Sequence, residues 1–334
     1  MAKAFFLVLL ATLALLSACN AYSSTKNAAI FELRKGKLAD VVLGYDDLCQ
    51  YEKNTNYFGS LVGRVANRIS GAQFNLNGVV YKSNKNEGNN TLHGGSIGFS
   101  QVLWDVKEQA YGEFPYITFY YRSFDGEQGF PGALDVFVTY KISAAYQLSV
   151  TMYAKSLNKP TPVNLAQHTY WNLGGHRSGS VLLNTVQIFA SKITTVDAQL
   201  IPTGKFANVS GTPYDFQQPR TIDSCMNQLS SGYDIYYVLN RPRGCDRLRK
   251  AAMVRDSVSG RRLELWTNQL GLQFYTANTL NEERGKGSQI YRAHAGLCLE
   301  TQGFPDAVNR RNFPSIYVNP AEEYKHEMLF KFSF

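Results

Sequence analysis

Tryptophan is scarce, at 3 residues in 334, and so is cysteine, at 5. The cysteines lie far apart and form no C-x-x-C pair, which argues against a zinc site and against a disulfide framework. No five consecutive basic residues occur, although the formal net charge is +8. The densest basic stretch, residues 241–250, reads as a solvated loop, so no nucleic-acid partner is expected. No amphipathic pattern exceeds about two helical turns, against a mean helix of ~11 residues. There is no internal repeat, linker or low-complexity tract, so one domain spanning residues 25–334 is the economical reading. Beyond the first twenty or so residues, no apolar run approaches the ~20 residues that span a bilayer.

What is present is core material. Hydrophobic residues make up 44% of the chain, with 21 Tyr and 20 Phe, which excludes a disordered chain. At the N-terminus, Lys3 precedes an apolar run from Ala4 to Leu16, and Cys19-Asn20-Ala21 fits a small-x-small cleavage site. Residues 1–21 therefore read as a signal peptide, and the protein is expected to be secreted. Two other readings are an uncleaved anchor and a lipid anchor on Cys19 within Leu16-Ser17-Ala18-Cys19. Asn89 and Asn208 begin N-x-S/T acceptor patterns for glycosylation. Cys225 and Cys245 flank one segment and could pair; the alternative is that all remaining cysteines are free.

The dominant period is two. Residues 116–121, 134–140, 146–153, 262–267 and 272–276 alternate or are rich in β-branched and aromatic residues, as half-buried strands are. Asn77-Gly78 between Phe74-Asn75-Leu76 and Val79-Val80-Tyr81 is a two-residue hairpin signal. Short strands with frequent turns predict an all-β fold, a single large sandwich or barrel.

Polar groups gather where this alternation breaks. Gly63-Arg64-Val65-Ala66-Asn67-Arg68 offers an amide and two guanidiniums. His93 precedes two glycines, His168 sits beside Tyr170 and Trp171, and Asp234 follows a Gly-Tyr turn. Glu300 lies within an apolar strand, where burial would raise its pKa toward a general base's range. Two imidazoles, two carboxylates, an arginine and the neighbouring Trp171 suit a neutral polyhydroxylated ligand.

The segments GRVANRI, NTLHGG, HTYWNLGG, GYD, LQFYT and CLETQGFPDAVN, in this order, resemble the aldose 1-epimerase (galactose mutarotase) family. The resemblance runs from about Gly44 to the C-terminus. LIPTGKF, GTPYDF and YKHEMLF look most like plant members. The resemblance implies a large β-sandwich with an open cleft, and interconversion of the α and β anomers of free aldohexoses such as glucose and galactose. It implies Glu300 as the base that takes the anomeric hydroxyl proton and His168 as the acid that protonates the ring oxygen. His93 matches a helper imidazole, and Asn67, Arg68, Asp234 and Gln273 match hydroxyl-binding positions. Neither metal nor organic cofactor is implied, the partner is a small sugar, and a monomer is expected. Acid and base are both expected to have pKa values near the working pH.

Three features depart from the family. Next to it, the chain lacks an N-terminal strand pair of on the order of 20 residues before Gly36, which would leave sheet edges unpaired. Ile235-Tyr236 follows Asp234 where His-Asn is usual, so bulkier residues are expected to reshape the pocket. Arg310-Arg311 is more charged than usual near the cleft rim. Alternatives to a mutarotase are a non-catalytic sugar-binding homologue, a hexose-6-phosphate epimerase using Arg310-Arg311, and a glycosidase using Asp234 and Glu300.

Overall fold

The computed structural model describes residues 31–34, 37–53, 55–144, 146–240 and 247–334. The expected signal segment and Cys245 lie outside them. Where alternation is long in the sequence, it becomes a sheet face. Leu134–Ala144 buries every second side chain from Leu134 to Ile142, and Gln147–Ser156 does the same from Leu148 to Ser156. Arg262–Thr267 and Glu323–Ser333 repeat the pattern. A side-chain period of two puts all these apolar groups on one side.

These four strands form the middle of a nine-stranded antiparallel sheet. Its order is Arg220–Thr221, Thr185–Ile188, Arg249–Arg255, Arg262–Thr267, Glu323–Ser333, Gln147–Ser156, Leu134–Ala144, Tyr116–Ser123 and Asp105–Ala110. A second antiparallel sheet has six strands: Tyr170–Trp171, Leu297–Gln302, Gly271–Tyr275, Asp234–Leu239, Ala190–Val196 and Pro202–Asn208. Val136, Val150, Met152, Leu265 and Phe330 of the first share one buried cluster with Trp171, Ile235, Leu272, Phe274 and Leu299 of the second. The fold is thus an all-β sandwich. The only α-helix among the described residues is Leu48–Glu52, and no helix there is long and apolar enough to cross a membrane.

The turn chemistry follows the sequence. Gln73–Leu76 and Val79–Lys82 pair across Asn77 (φ 53°) and Gly78 (φ 84°), the two left-handed positions of a type I′ turn. At the N-terminal side, Phe31–Arg34 pairs with Lys37–Asp40 as a hairpin. The chain then covers the outer edge of the six-stranded sheet. Leu43 N–H donates to Tyr170 O at 3.0 Å and Asn172 N–H to Val41 O at 2.8 Å. The buried Lys286 ammonium fixes this segment through Asp40 Oδ2 at 2.8 Å and Val42 O at 2.9 Å. That edge is therefore hydrogen-bonded by residues 41–43, where the expected loss of a strand pair would have left it open. Cys49, Cys225 and Cys298 form no disulfide among the described residues, and Asn89 and Asn208 are exposed.

The six-stranded sheet differs from the nine-stranded one in a way that creates the site. Gly271–Tyr275 and Leu297–Gln302 are buried at every position. One face of each packs on the core, so the other must be covered by something else.

Candidate active site

That second covering comes from loops, and the space between loops and sheet is a cleft. In Leu297–Gln302, Leu297 and Leu299 point into the core, so Cys298 and Glu300 point outward. Register then sets two cross-strand rows on the outer face. Glu300 stands opposite Gln273, which stands opposite Tyr236. Tyr170 stands opposite Cys298, Cys298 opposite Tyr275, and Tyr275 opposite Asp234.

Two short strand pairs bring in the remaining groups. Arg68–Ile69 pairs with Thr91–Leu92, which places Asn67 and Arg68 beside His93. Ala166–His168 pairs with Ser60–Val62 and delivers His168. Asn67 (φ 62°) and His93 (φ 51°) both adopt left-handed backbone, uncommon for non-glycine residues and frequent at functional sites. Gly94 (φ 89°) is required by packing, since a Cβ there would lie 1.9 Å from Gly63 O.

The cleft has a volume of about 200 Å³, below the ~300–1,000 Å³ of drug-sized pockets and suited to a single small ring. On its floor, His168 Nε2 lies 3.5 Å from Glu300 Oε1. Glu300 Oε2 is buried with no hydrogen-bond partner among the described residues, an unsatisfied polar atom of the kind that clusters at functional sites. Cys298 Sγ stands behind the ring, 3.6 Å from His168 Nδ1. Asn67 Nδ2 donates to Gln273 Oε1 at 3.1 Å, and Gln273 Nε2 donates to Asp234 Oδ1 at 2.6 Å. Arg68 lies 3.9 Å from Asp234 Oδ2 and forms a bidentate pair with Glu87, Nε to Oε2 and Nη2 to Oε1, both at 2.7 Å.

Burial dominates the electrostatics. It pushes Glu300 well above the ordinary carboxylate range; the Asp234 charge adds to this and Arg68 opposes it. It pushes His168 down to about 4. His93 is driven well below its usual value by burial, then by His168 and Arg68. Asp234 is raised by burial, against Arg68 and the Gln273 hydrogen bond. The expectation of an acid and a base both poised near the working pH thus needs correction for His168. The imidazole has no charged partner that outweighs its desolvation.

His93, His168 and Glu300 each present a ligand atom, all within 4.8 Å of one another. The set does not fit a metal centre. The Asn67 N–H donates to His93 Nδ1 at 3.2 Å, so the neutral ring carries its proton on Nε2. The nitrogen facing the cleft is then a donor, not a lone pair.

His93, His168, Glu300, Asn67, Arg68, Asp234 and Gln273 all line the one cleft. Other sequence expectations are corrected. Trp171 is not a sugar-facing aromatic. It is buried between the sheets, with its ring 5.1 Å from Phe330, and the cleft aromatics are Tyr57, Tyr170 and Tyr275. Of the two guanidiniums, Arg64 is structural, buried and donating to Pro131 O, Gly132 O and Thr161 Oγ1. Ile235 points into the core, and Tyr236 donates to Gln302 O at 3.1 Å, so neither lines the main cleft. Arg310 pairs with Asp306 at 3.0 Å, and neither it nor Arg311 lines the cleft. Sequence reasoning missed Tyr57, whose ring stands against His93 and His168, and Glu87. The one signal for Glu87 was an acidic side chain in a turn-rich Asn/Gly stretch just before NTLHGG.

A sequence model of the family described as Aldose 1-epimerase matches residues 28–331. The chain is 42% identical to a Bos taurus protein named galactose mutarotase, over 302 residues, 90% of this chain and 86% of the relative. The human galactose mutarotase is 41% identical over the same shares. A solved GalM/aldose epimerase homologue from C. elegans superposes with a TM-score of 0.85 at 28% identity, covering 92% of each chain. Galactose 1-epimerase from Lactobacillus acidophilus gives 0.78 at 26% identity, covering 92% of this chain and 88% of that one.

Proposed function

The chain belongs to the aldose 1-epimerase family, and we propose that Glu300 and His168 are the base and acid with which it opens and recloses the ring of a free aldohexose. The enzyme is an isomerase that interconverts α and β anomers. The observation that carries the role assignment is the 3.5 Å contact between His168 Nε2 and Glu300 Oε1 in the polar cleft.

The pair shares one proton. In the empty cleft, burial favours the neutral arrangement, a protonated Glu300 beside a neutral His168. Sugar hydroxyls hydrogen-bonding to Glu300 favour the other arrangement, carboxylate with imidazolium. From there, Glu300 takes the proton of the anomeric hydroxyl while His168 gives its Nε2 proton to the ring oxygen. The C1–ring-oxygen bond breaks, and the electron pair of the hydroxyl oxygen forms the aldehyde. The site returns to its neutral arrangement, so no proton is gained or lost. Rotation about the C1–C2 bond and the reverse transfers give the other anomer. His93, held as the Nε2–H tautomer, donates beside the ring oxygen, while Asn67, Gln273, Asp234 and Arg68 bind and orient hydroxyls. Protonation states that separate acid from base on two oxygens of one ring require this two-residue arrangement.

Polarimetry on freshly dissolved α-D-galactose and α-D-glucose tests this. Glu300→Gln and His168→Asn are each expected to remove most of the enzymatic rate while sugar binding falls modestly. Near-normal activity in either variant would overturn its assigned role. For the N-terminal segment we propose export by a cleaved signal peptide, which mass determination of the mature N-terminus checks. A monomer is proposed for the mature enzyme, to be read by light scattering.

A further inference from the structure

We propose that Glu87 is a specificity residue that keeps the cleft closed to anionic sugars; this rests on the aldose-isomerase reading above. The cleft has one guanidinium among its lining groups, Arg68, and that side chain is only 11% exposed. A lone, largely buried arginine in a sugar cleft is a ready receptor for a carboxylate or a phosphate, because its fork matches their oxygens bidentately. Here the fork is already filled. Nε and Nη2 donate to the two Glu87 oxygens at 2.7 Å, and Asp234 stands at 3.9 Å on the same guanidinium.

The lining therefore carries two carboxyl groups, Glu87 and Asp234, against one fixed cation, while Glu300 and His168 together are net neutral. Burial is the main cause that raises Asp234 and the Tyr57 phenol, and the charge of Glu87 adds to both in the same direction. A hexuronate or a hexose 6-phosphate entering this space meets like charge and finds no unpaired cation among the described lining residues. Neutral hydroxyls meet acceptors and donors without that penalty. Discrimination of this kind is built by repulsion rather than by extra attraction. Glu87 does not touch the reacting atoms in this scheme. It acts through Arg68 and through its own charge, and it sits on the turn Asn86–Asn90, held by backbone hydrogen bonds between Glu87 and Asn90.

The test compares galactose with galacturonate, and glucose with glucose 6-phosphate, by polarimetry and by calorimetric binding, in wild type, Glu87→Gln and Glu87→Asp. Wild type is expected to favour the neutral sugar strongly. Glu87→Gln should narrow the neutral-to-anionic ratio of kcat/KM by at least about tenfold, which is about 1.4 kcal/mol. Glu87→Asp should restore most of the preference, and added salt should weaken it in wild type. Wild type handling galacturonate as well as galactose would overturn the proposal. So would Glu87→Gln lowering both sugars equally, the signature of a merely structural role. Calorimetry keeps the two readings apart. Absent turnover with selective binding of the neutral sugar sinks the isomerase roles and leaves the charge filter standing.

Discussion

Glu300→Gln should make the protein more stable at neutral pH while removing its activity. Glu300 is 2% exposed, and burial raises its pKa well above 4.5. Between 4.5 and that raised value, the native state binds more protons than the unfolded state. Stability therefore falls as pH rises through this window and is fully recovered below 4.5. At pH 7.0 the penalty cannot exceed the work of moving from 4.5 to 7.0, about 2.5 units or about 3.4 kcal/mol. Gln keeps the shape and never ionises, so it removes this penalty. For a domain of this length, about 2 °C per kcal/mol puts the ceiling near a 7 °C rise in Tm. The assay is thermal unfolding by circular dichroism at pH 7.0 and pH 4.5, with polarimetry on the same samples. The expected result is a gain at pH 7.0 that shrinks toward zero at pH 4.5. A variant less stable than wild type at both pH values, by the same amount, would refute the reasoning. Glu300 would then be a satisfied structural carboxylate and not a desolvated functional one.

Three further outcomes are expected. The acid limb of kcat/KM should fall near the His168 value of about 4, where the pair takes up a second proton, and not near the ordinary imidazole value; a pH–rate profile with a limb near 6.5 would contradict this. His326 is fully buried between the sheets, bonded to Thr301 Oγ1 at 2.8 Å, with its pKa pushed down to about 3. Between about 3 and 6.5 the unfolded state binds more protons, so stability rises with pH there, by about 1.4 kcal/mol per unit for this one group. Urea unfolding at pH 5.0 and pH 6.5 should show a shallower pH slope in His326→Gln than in wild type, whatever the change in absolute stability. Gly94→Ala should destabilise the fold or displace His93, because the new Cβ meets Gly63 O and the backbone sits at φ 89°; unchanged Tm together with unchanged activity would contradict that.

The fold was legible because the nine-stranded sheet is wet on one face. Leu134–Ala144 and Arg262–Thr267 alternate, and alternation in sequence is alternation in space. The six-stranded sheet was harder to read for the same reason in reverse. LCLETQ has no exposed face, since both sides are covered, and only the carboxylate within it signalled that one covering is a cleft. Glu300 and Asp234 were individually visible, and Gln273 only through the family resemblance, but their union depends on cross-strand register, which no local pattern encodes. Trp171 was misplaced because it follows His168 by three residues. Strand geometry sends the two side chains to different sides, one to the cleft and one to the core. Glu87 was missed because an acid in a turn ordinarily faces water, and only the folded loop shows that it faces Arg68.

The site's electrostatic state follows from where the sandwich puts it. Sugar hydroxyls are neutral, so a cleft for them needs no net charge, yet acid–base chemistry on them needs ionisable groups. The sheet face resolves this by burying the pair, Glu300 and His168, with a single proton between them. Each departs from its solution pKa in the direction that keeps it uncharged. Charge separation is then expensive in the empty cleft and is favoured only when hydroxyls donate to the carboxylate and accept from the imidazolium. The same burial that weakens the fold at Glu300 thus makes the reactive arrangement conditional on substrate. The remaining full charges, Arg68, Glu87 and Asp234, sit together on the more exposed wall, where they satisfy one another and orient rather than react.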